Sequence, residues 1–309
     1  MHPDAGPEPG DEASTSAHAA SVALADRASA LWPQAATPGA LHVVSTPIGH
    51  LADITLRALA VLRQAAVICC EDTRHARPLL DRYGIGTPTF ALHEHNEASA
   101  VPRLLERLRS GDAVAVISDA GTPLVSDPGG RLVAAASDAG LRVVPIPGAS
   151  ATLAALVASG LAAHPFTVLG FPDRKGRGRE DTLALSARLP HAVVLFESPN
   201  RLVDTLRDLA AIAGRERRVA VARELTKHFE EIRRGTLEEV AAYYEAVPPR
   251  GEIVFVLDGA TAAEPTEDGL RATAAAMREQ GFRPRDIVRM LMDEHGASRN
   301  LAYRLAHDT

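Results

Sequence analysis

The chain is organised around one loop, which reads Ser118-Asp119-Ala120-Gly121-Thr122-Pro123-Leu124-Val125-Ser126-Asp127-Pro128-Gly129. The apolar run Ala113-Val114-Ala115-Val116-Ile117 precedes this loop, and a helix-like run follows from Arg131. A buried strand therefore leads into a loop whose glycines allow close backbone approach and whose carboxylates can accept hydrogen bonds. A tight turn with capping carboxylates is the alternative. Because open α/β sheets bind ligands at the carboxyl ends of their strands, the pattern favours a ligand site.

The segments around this loop alternate between strand-like and helix-like patterns. Strands are predicted over 41–45, 66–70, 89–92 and 142–146, with amphipathic helices between them. This alternation predicts a mostly parallel sheet with helices on both faces. After Pro165 the predicted strands, over 166–171, 192–196, 219–224, 230–235 and 253–257, are separated by only two or three helices, which suggests a mixed α+β domain.

The fold class is therefore α/β with two domains and a short helical tail. We expect a disordered extension over 1–39, an N-terminal α/β domain over 40–162, an α+β domain over 163–262 and a helical tail over 263–309. The first segment is rich in Ala, Pro, Gly, Ser and Asp and is acidic, which is the basis for expecting disorder.

Composition limits the function classes. The 309 residues carry a net charge of −6, much of it in residues 1–39, so the folded part is nearly neutral. This argues against binding nucleic acid through overall charge, although local basic patches remain compatible with it. No apolar run approaches the ~18 residues of a membrane span. The only two cysteines, Cys69 and Cys70, are adjacent, which fits a reduced, cytoplasmic protein.

Three further strand ends carry loops of the same kind, over 45–55, 70–74 and 145–151. A G-x-G-x-x-G motif is absent after the first strand, so the sequence does not support a nicotinamide- or flavin-dependent enzyme. Each loop alone could simply cap the next helix. Four such loops along one sheet edge predict a ligand site.

Two histidines, His93 and His95, precede Asn96 and Glu97 at another strand end. They could bind a metal with a carboxylate, but the segment lacks a third ligand at a familiar spacing. Asn96 and Glu97 fit a helix start equally well. We expect no metal and favour polar residues at the rim of a cleft.

The second half contains a glycine-rich basic loop over 170–179 and charged residues directly after buried strands. The loop is either a solvated surface or a contact for a polyanion. The charged residues are Glu197, Arg201, Glu224 and Lys227, for which an internal ion-pair network is the structural alternative.

Together these segments resemble the tetrapyrrole-methylase superfamily of S-adenosylmethionine-dependent enzymes. Within it they resemble the branch that 2′-O-methylates a cytidine in the decoding centre of 16S ribosomal RNA. The matching segments span residues 40–260 in order and are 45–55, 70–74, 93–97, 118–129, 145–151, 170–175, 197–201 and 223–235. Two positions depart from the family pattern: His50 stands where Asn is usual, and Ala149 where Pro is frequent.

The resemblance implies a homodimer with the methyl donor, S-adenosylmethionine, in the cleft between two domains, 16S ribosomal RNA in the small subunit as partner, and no metal. The residues expected to hold the donor are Pro47, Gly49, Asp119, Gly121, Thr122, Val125, Ser126, Asp127, Pro147, Gly148 and Ala149. Those expected to contact RNA are Arg74, Arg174, Lys175, Arg177, Arg179 and Arg201.

A ribose 2′-hydroxyl is a weak nucleophile, so a base or a cation that stabilises the oxyanion would help. The candidates are Glu71, Glu197, Arg201, Glu224 and Lys227, and we expect Lys227 to act with Glu197.

Two other functions are compatible with the sequence. A tetrapyrrole methyltransferase of the same fold is disfavoured by the basic loop and by the missing glycine-rich first motif. A non-enzymatic nucleic-acid-binding regulator would read its target with the C-terminal helices and predicts a basic last helix. Residues 298–309 hold only Arg299 and Arg304 beside Asp308.

Overall fold

A computed structural model describes residues 9–124, 128–260 and 267–307 of the chain, with side chains from residue 15 onward. The contacts divide the chain into two compact units. The larger comprises Met1–Ala187 with His191–Asp258, and the smaller comprises Arg188–Pro190 with Gly259–Thr309.

The larger unit begins with a parallel five-stranded sheet. Its strands are β1 (Leu41–Val44), β2 (Val67–Cys70), β3 (Thr89–Ala91), β4 (Val114–Val116) and β5 (Val143–Ile146), in the order β3-β2-β4-β1-β5. Every neighbouring pair is parallel, so all the carboxyl ends meet at one edge. The predicted parallel sheet is confirmed.

Helices cover both faces of this sheet. They are α1 (Pro9–Leu31), α2 (Leu56–Gln64), α3 (Thr73–Arg82), α4 (Glu94–Arg109) and α5 (Gly130–Asp138), and a sixth helix, α6 (Ala151–Ala158), follows β5. One buried apolar cluster joins α1, α2 and α3 to the sheet, and a second joins α4 and α5 to its other face. Strands β2 and β4 are buried along their whole length, which explains their continuous apolar runs in the sequence.

The second sheet is mixed. It contains β6 (Phe166–Gly170), β7 (Ala192–Glu197), β8 (Arg218–Arg223), β9 (Glu231–Thr236) and β10 (Ile253–Leu257), in the order β6-β7-β10-β8-β9. Only β6 and β7 are parallel neighbours. The helices α7 (Arg177–Arg188), α8 (Leu202–Ala213) and α9 (Leu237–Ala246) accompany it. Ala155 and Leu156 of α6 are buried against residues of this sheet, and Ile48 from the loop after β1 belongs to the same apolar cluster.

The smaller unit contains α10 (Glu267–Glu279), α11 (Pro284–Asp293) and α12 (Arg299–His307). Buried residues from all three helices form its core, among them Leu270, Ile287 and Leu305. The predicted helical tail therefore contains three helices. In the described residues no helix is long and apolar enough to cross a membrane.

One expectation about the chain's beginning is wrong. Residues 9–31 were expected to be disordered, but they form the 23-residue helix α1. Ala25 and Ala28 are fully buried in the cluster that includes α2, and Gln64 donates hydrogen bonds to Ser29 Oγ at 2.9 Å and to the Trp32 carbonyl at 2.8 Å. Tertiary packing of small side chains therefore overrides a composition typical of disorder. Residues 1–8 lie outside the described residues.

Candidate active site

The loops that follow β1, β4 and β5 are bonded to one another. Thr46 and Gly121 exchange two backbone hydrogen bonds, of 2.8 and 3.1 Å. Ser45 Oγ donates to Thr122 Oγ1 at 3.2 Å, and Thr122 Oγ1 donates in turn to the Ala149 carbonyl at 3.1 Å. A hydroxyl relay therefore joins three strand ends into one surface.

A cavity of about 370 Å³ opens beside these loops and reaches the ends of the second sheet. One wall is aromatic, because the rings of Phe171 and Phe196 stack with their centroids 5.2 Å apart. Asp119 and Glu252 contribute carboxylates to its lining. The remaining lining residues are Ile48, Ala120, Gly121, Thr122, Ser150, Ala151, Thr152, Glu197, Ser198, Pro199, Ala222, Leu225, Gly251, Ile253 and Val254.

Of the residues expected to hold the methyl donor, Asp119, Gly121 and Thr122 line the cavity. Ala149 is joined to it through the carbonyl that accepts from Thr122. Gly121 has φ +79°, and a Cβ there would lie 3.1 Å from Ile48 Cγ2, so this turn leaves little room for a side chain.

The other expected donor residues are absent from the described lining or lie outside the residues that the structure describes. Gly148 lies against Ser45, where a Cβ would come within 2.8 Å of the Ser45 Cβ. Pro47 and Gly49 belong to the loop after β1 and are absent from the described lining of this cavity, as is Pro147. Val125, Ser126 and Asp127 lie outside the residues that the structure describes.

Glu197 is held inside an ion-pair network. Its side chain is fully buried, and its Oε1 accepts from the Ser198 amide at 2.7 Å and pairs with Arg201 Nη2 at 2.6 Å. Its Oε2 accepts from Thr205 Oγ1 at 2.7 Å and lies 3.7 Å from Arg179 Nη1. Both oxygens are therefore occupied, which favours a role in positioning the arginines over a role as base.

Lys227 lies between two carboxylates. Its Nζ is 2.9 Å from Glu224 Oε1 and 3.1 Å from Glu252 Oε2. Burial alone would lower the pKa of Lys227, but the hydrogen bonds to the two glutamates outweigh burial and raise it. The amine is therefore protonated at neutral pH and can act as a cation.

The segment that carries Lys227 has an unusual backbone. Glu224 and Thr226 have φ of +50° and +65°, a region that residues with a Cβ rarely adopt. Gly49 faces this segment, because a Cβ at Gly49 would lie 2.5 Å from Lys227 Cγ. On the other side, a Cβ at Gly251 would lie within 2.6 Å of three Glu224 side-chain atoms. Two glycines thus make room for a strained loop beside the cavity.

The two expected catalytic residues are on different strand ends. Glu197 on β7 and Arg223 on β8 both pair with Ile253 of the intervening strand β10. Two strand spacings of about 4.8 Å therefore separate these backbones, and Lys227 follows the far strand. Direct contact between Lys227 and Glu197 is not present in the structure.

The loop after β2 carries a charged pair that includes the predicted Arg74, and the helix that follows carries a histidine that the sequence pattern did not single out. Arg74 binds Asp72 through two side-chain nitrogens and its amide, which holds the pKa of Asp72 well below its usual range. His75 Nδ1 lies 2.8 Å from Asp119 Oδ2, although the two residues are 44 positions apart. Glu71 is exposed and is absent from the described cavity lining.

The basic loop divides into outward and inward groups. Arg174, Lys175 and Arg177 are exposed, and Arg177 lies 3.8 Å from Asp181. Arg179 is largely buried, with bonds to Thr205 and Asp208 in addition to Glu197. Arg201 donates to the carbonyls of Pro172 and Asp173, so it fixes the start of the loop.

The histidine-containing segment after β3 starts a helix. The His93 amide donates to Asn96 Oδ1, and Glu97, which is buried, accepts from the amides of Arg131 and Leu132 at the start of α5. The capping alternative explains these residues. Among the described residues, no three His, Cys, Asp or Glu side chains come together as metal ligands.

The chain is similar to known proteins in sequence and in structure. Residues 40–241 match the family model of tetrapyrrole (corrin/porphyrin) methylases. The chain is 52% identical to ribosomal RNA small subunit methyltransferase I of Mesorhizobium japonicum, over 72% of this chain and 76% of that protein. It is 41% identical to the protein of the same name from Synechocystis sp., over 87% and 97%.

Among solved structures, the chain is similar to uroporphyrin-III C-methyltransferase from Thermus thermophilus complexed with S-adenosyl homocysteine. The TM-score is 0.52 at 23% identity, covering 71% of this chain and 96% of that one. This likeness bears on the fold alone.

Proposed function

Because the chain belongs to the tetrapyrrole (corrin/porphyrin) methylase family, we propose that it methylates the ribose 2′-hydroxyl of a cytidine in small-subunit ribosomal RNA, with S-adenosylmethionine as donor. The nucleotide is the one numbered cytidine 1402 in 16S ribosomal RNA. One observation supports the proposal that the substrate is RNA: the similarity to the two named ribosomal RNA methyltransferases extends over most of their length.

The cavity suits the donor. Its volume of about 370 Å³ is in the range of small-molecule pockets, and its lining is mainly apolar with a few polar groups. We assign the adenine to the wall formed by Phe171 and Phe196, since stacked aromatic rings offer an apolar surface. The carboxylates of Asp119 and Glu252 offset the charge of a sulfonium. When bound, the donor supplies an electrophilic methyl group.

Alignment of the reactants is the main contribution expected of the protein. The 2′-hydroxyl oxygen attacks the methyl carbon in line with the departing sulfur, and holding two reactants in that line contributes on the order of 7–11 kcal/mol. The bonded loops after β1, β4 and β5 supply a rigid surface for this purpose. Lys227 serves as a cation beside the cavity, where it stabilises charge that develops on the attacking oxygen.

The RNA-binding surface includes the outward part of the basic loop. Arg174 and Lys175 are exposed and are not in an ion pair within the described residues, so they are available to phosphate. Arg177 and Arg74 add positive charge, although Arg177 lies near Asp181 and Arg74 is paired with Asp72. Arg179 and Arg201 act indirectly by fixing the loop to Glu197.

The assembly and location follow from the family resemblance. We assign a homodimer acting in the cytoplasm on the decoding centre of the small subunit. The same proposal includes a methyl-donor domain over 40–162 and a second domain over 163–262. Sedimentation equilibrium tests the assembly, for which the expected mass is twice 32.7 kDa.

Mapping of the transferred methyl group tests the function. Small ribosomal subunits from a strain that lacks this protein are incubated with labelled donor, and the modified nucleotide is identified by mass spectrometry. We expect one ribose-methylated cytidine and no incorporation into subunits from the parent strain, which are already methylated. Label on a base, on protein only, or nowhere would reject the proposal. Label on a tetrapyrrole would support the small-molecule alternative instead.

A further inference from the structure

A histidine outside the described lining of the cavity is hydrogen-bonded to an aspartate that lines it. His75 is in the first turn of α3, directly after β2, and Asp119 is in the loop after β4. Because β2 and β4 are neighbouring parallel strands, their carboxyl ends are adjacent. His75 Nδ1 and Asp119 Oδ2 are 2.8 Å apart. The His75 side chain is 67% exposed, whereas Asp119 lines the cavity.

This contact defines the state of the imidazole ring. A carboxylate is an acceptor only, so the Nδ1 that faces Asp119 carries a hydrogen. In neutral His75 the lone pair is then on Nε2, for which no hydrogen-bond partner occurs in the part of the chain that the structure describes. A histidine that acts as a base requires two components. One is a carboxylate that fixes the tautomer, and the other is an exposed basic nitrogen.

The other candidate groups are less suited to accept a proton. The Glu197 carboxylate is saturated by Arg201, Thr205 and the Ser198 amide. Lys227 is protonated between Glu224 and Glu252. Imidazole is also the side chain whose basicity best matches proton transfer near neutral pH.

We propose that His75 is the general base of the methyl transfer and that Asp119 positions it, an inference that rests on the proposed function. As the bond from O2′ to the methyl carbon forms, the bond from that carbon to sulfur breaks and its electron pair stays on the sulfur. The O2′–H bond breaks in the same step, and the proton moves to His75 Nε2. The resulting imidazolium is stabilised by Asp119 and later releases the proton to water.

The charged groups that face His75 determine its pKa and therefore the pH dependence of methyl transfer. Its hydrogen bond to Asp119 and the nearby charges of Asp119 and Asp72 raise the pKa of His75, while Arg74 opposes them. Cys70 lies near Asp119 and Asp72, and burial with these charges raises its pKa to about 11, so it stays neutral. The base must be unprotonated. Methyl transfer should therefore increase with pH through the raised pKa of His75 and level off above it.

Single-turnover methylation of small subunits, measured across pH, tests this inference. The variant His75→Asn keeps an amide donor toward Asp119 but has no basic nitrogen. We expect its rate to fall roughly 10²- to 10⁴-fold, as for loss of a general base, and to lose the rise with pH. Its affinity for S-adenosylhomocysteine, measured by calorimetry, should stay within about twofold of the wild type, because His75 is absent from the described lining of the cavity. His18→Asn, which changes an exposed histidine of α1, is the matched control and should behave as wild type.

A second variant tests the role of Asp119 separately from that of His75. Asp119→Asn removes the charge that favours imidazolium, so the pH at which the rate rises should move to lower values. A His75→Asn rate within threefold of wild type, or a large loss with the rise retained, would overturn the inference. If the wild type transfers no methyl group to ribosomal RNA, the proposed function fails and the inference fails with it. An active wild type with an equally active His75→Asn overturns the inference alone.

Discussion

At the scale of single residues, the site depends on a few positions where space or charge is limiting. Gly49 is one, because any side chain there would overlap the segment that carries Lys227. Glu197 is another, because its carboxylate is the shared partner of two arginines.

Gly49→Ala tests the spatial limit. The added Cβ would lie 2.5 Å from Lys227 Cγ and 2.8 Å from Thr226 Oγ1, so the strained loop must move. We expect the free energy of unfolding to fall by about 1–3 kcal/mol, as for other overpacked sites, with a loss of methyl transfer. Urea unfolding and the methylation assay measure the two effects. Gly86→Ala is the control, since nothing lies within 4 Å of its Cβ; equal stability of the two variants would contradict the packing argument.

Glu197→Gln tests the buried charge. The substitution keeps the shape of the side chain but leaves Arg179 and Arg201 without their shared anion, and breaking such a buried pair costs about 3–5 kcal/mol. Asp208→Asn removes the exposed partner of Arg179 and should cost about 0.2–1 kcal/mol. Urea unfolding compares the two variants. If both variants lose the same small amount, Glu197 is not the centre of the network.

At the scale of elements, the bonded loops convert a sheet edge into a binding surface. Thr122 is the middle member of the relay from Ser45 to Ala149. Thr122→Val keeps the volume and removes the hydroxyl. Loss of a hydrogen bond of about 0.5–1.5 kcal/mol should weaken binding of S-adenosylhomocysteine roughly two- to tenfold by calorimetry. Thr87→Val removes a hydroxyl bonded to the Leu62 carbonyl away from this surface and should leave affinity unchanged. Equal affinities for Thr122→Val and wild type would contradict the role of the relay.

The helix α1 gives a second test at this scale. Ala25→Glu places a charge on the face buried with α2, whereas Ala23→Glu changes an exposed position of the same helix. A buried unpaired charge is costly, so we expect α1 to detach in the first variant and to become sensitive to limited proteolysis. The second variant should resist proteolysis like the wild type. Equal resistance of both variants would show that α1 is not held by this face.

The sequence pattern could predict the strands and most helices because their apolar periodicity is strong. It could not predict α1, whose buried contacts are alanines: small side chains give a weak amphipathic signal, and the helix is held by close approach to α2. It also could not pair His75 with Asp119. That contact depends on β2 and β4 being neighbours, and strand order is not readable from residue spacing.

At the scale of the whole molecule, the strand order also separates Lys227 from Glu197, because β10, the last strand of the chain, enters between β7 and β8. The four strand-end loops were expected at one edge from the alternating pattern, and the parallel sheet places them there. The sequence could not show which basic side chains of the loop are exposed. Arg174 and Arg179 are near in sequence, but Arg174 is exposed and Arg179 is largely buried beside Glu197.

The nearly neutral charge of the folded part makes RNA binding depend on local groups. Replacing Arg174 and Lys175 with alanine should weaken binding to small-subunit RNA and reduce the slope of log K against log salt by roughly 0.7–0.9 per lost phosphate contact. Filter binding at several salt concentrations measures the slope. The double variant Arg103→Ala and Arg109→Ala removes the same charge from exposed positions of α4 and is the control. Identical slopes for both double variants would remove the basic loop from the interface.

The central claim is that the cavity at the carboxyl ends of the first sheet holds the methyl donor. Crystals of the full chain grown with S-adenosylhomocysteine test it most directly. The account predicts ligand density against Asp119, Gly121 and Thr122, with the adenine beside Phe171 and Phe196. Density at any other place on the molecule, with this cavity filled only by water, would contradict it.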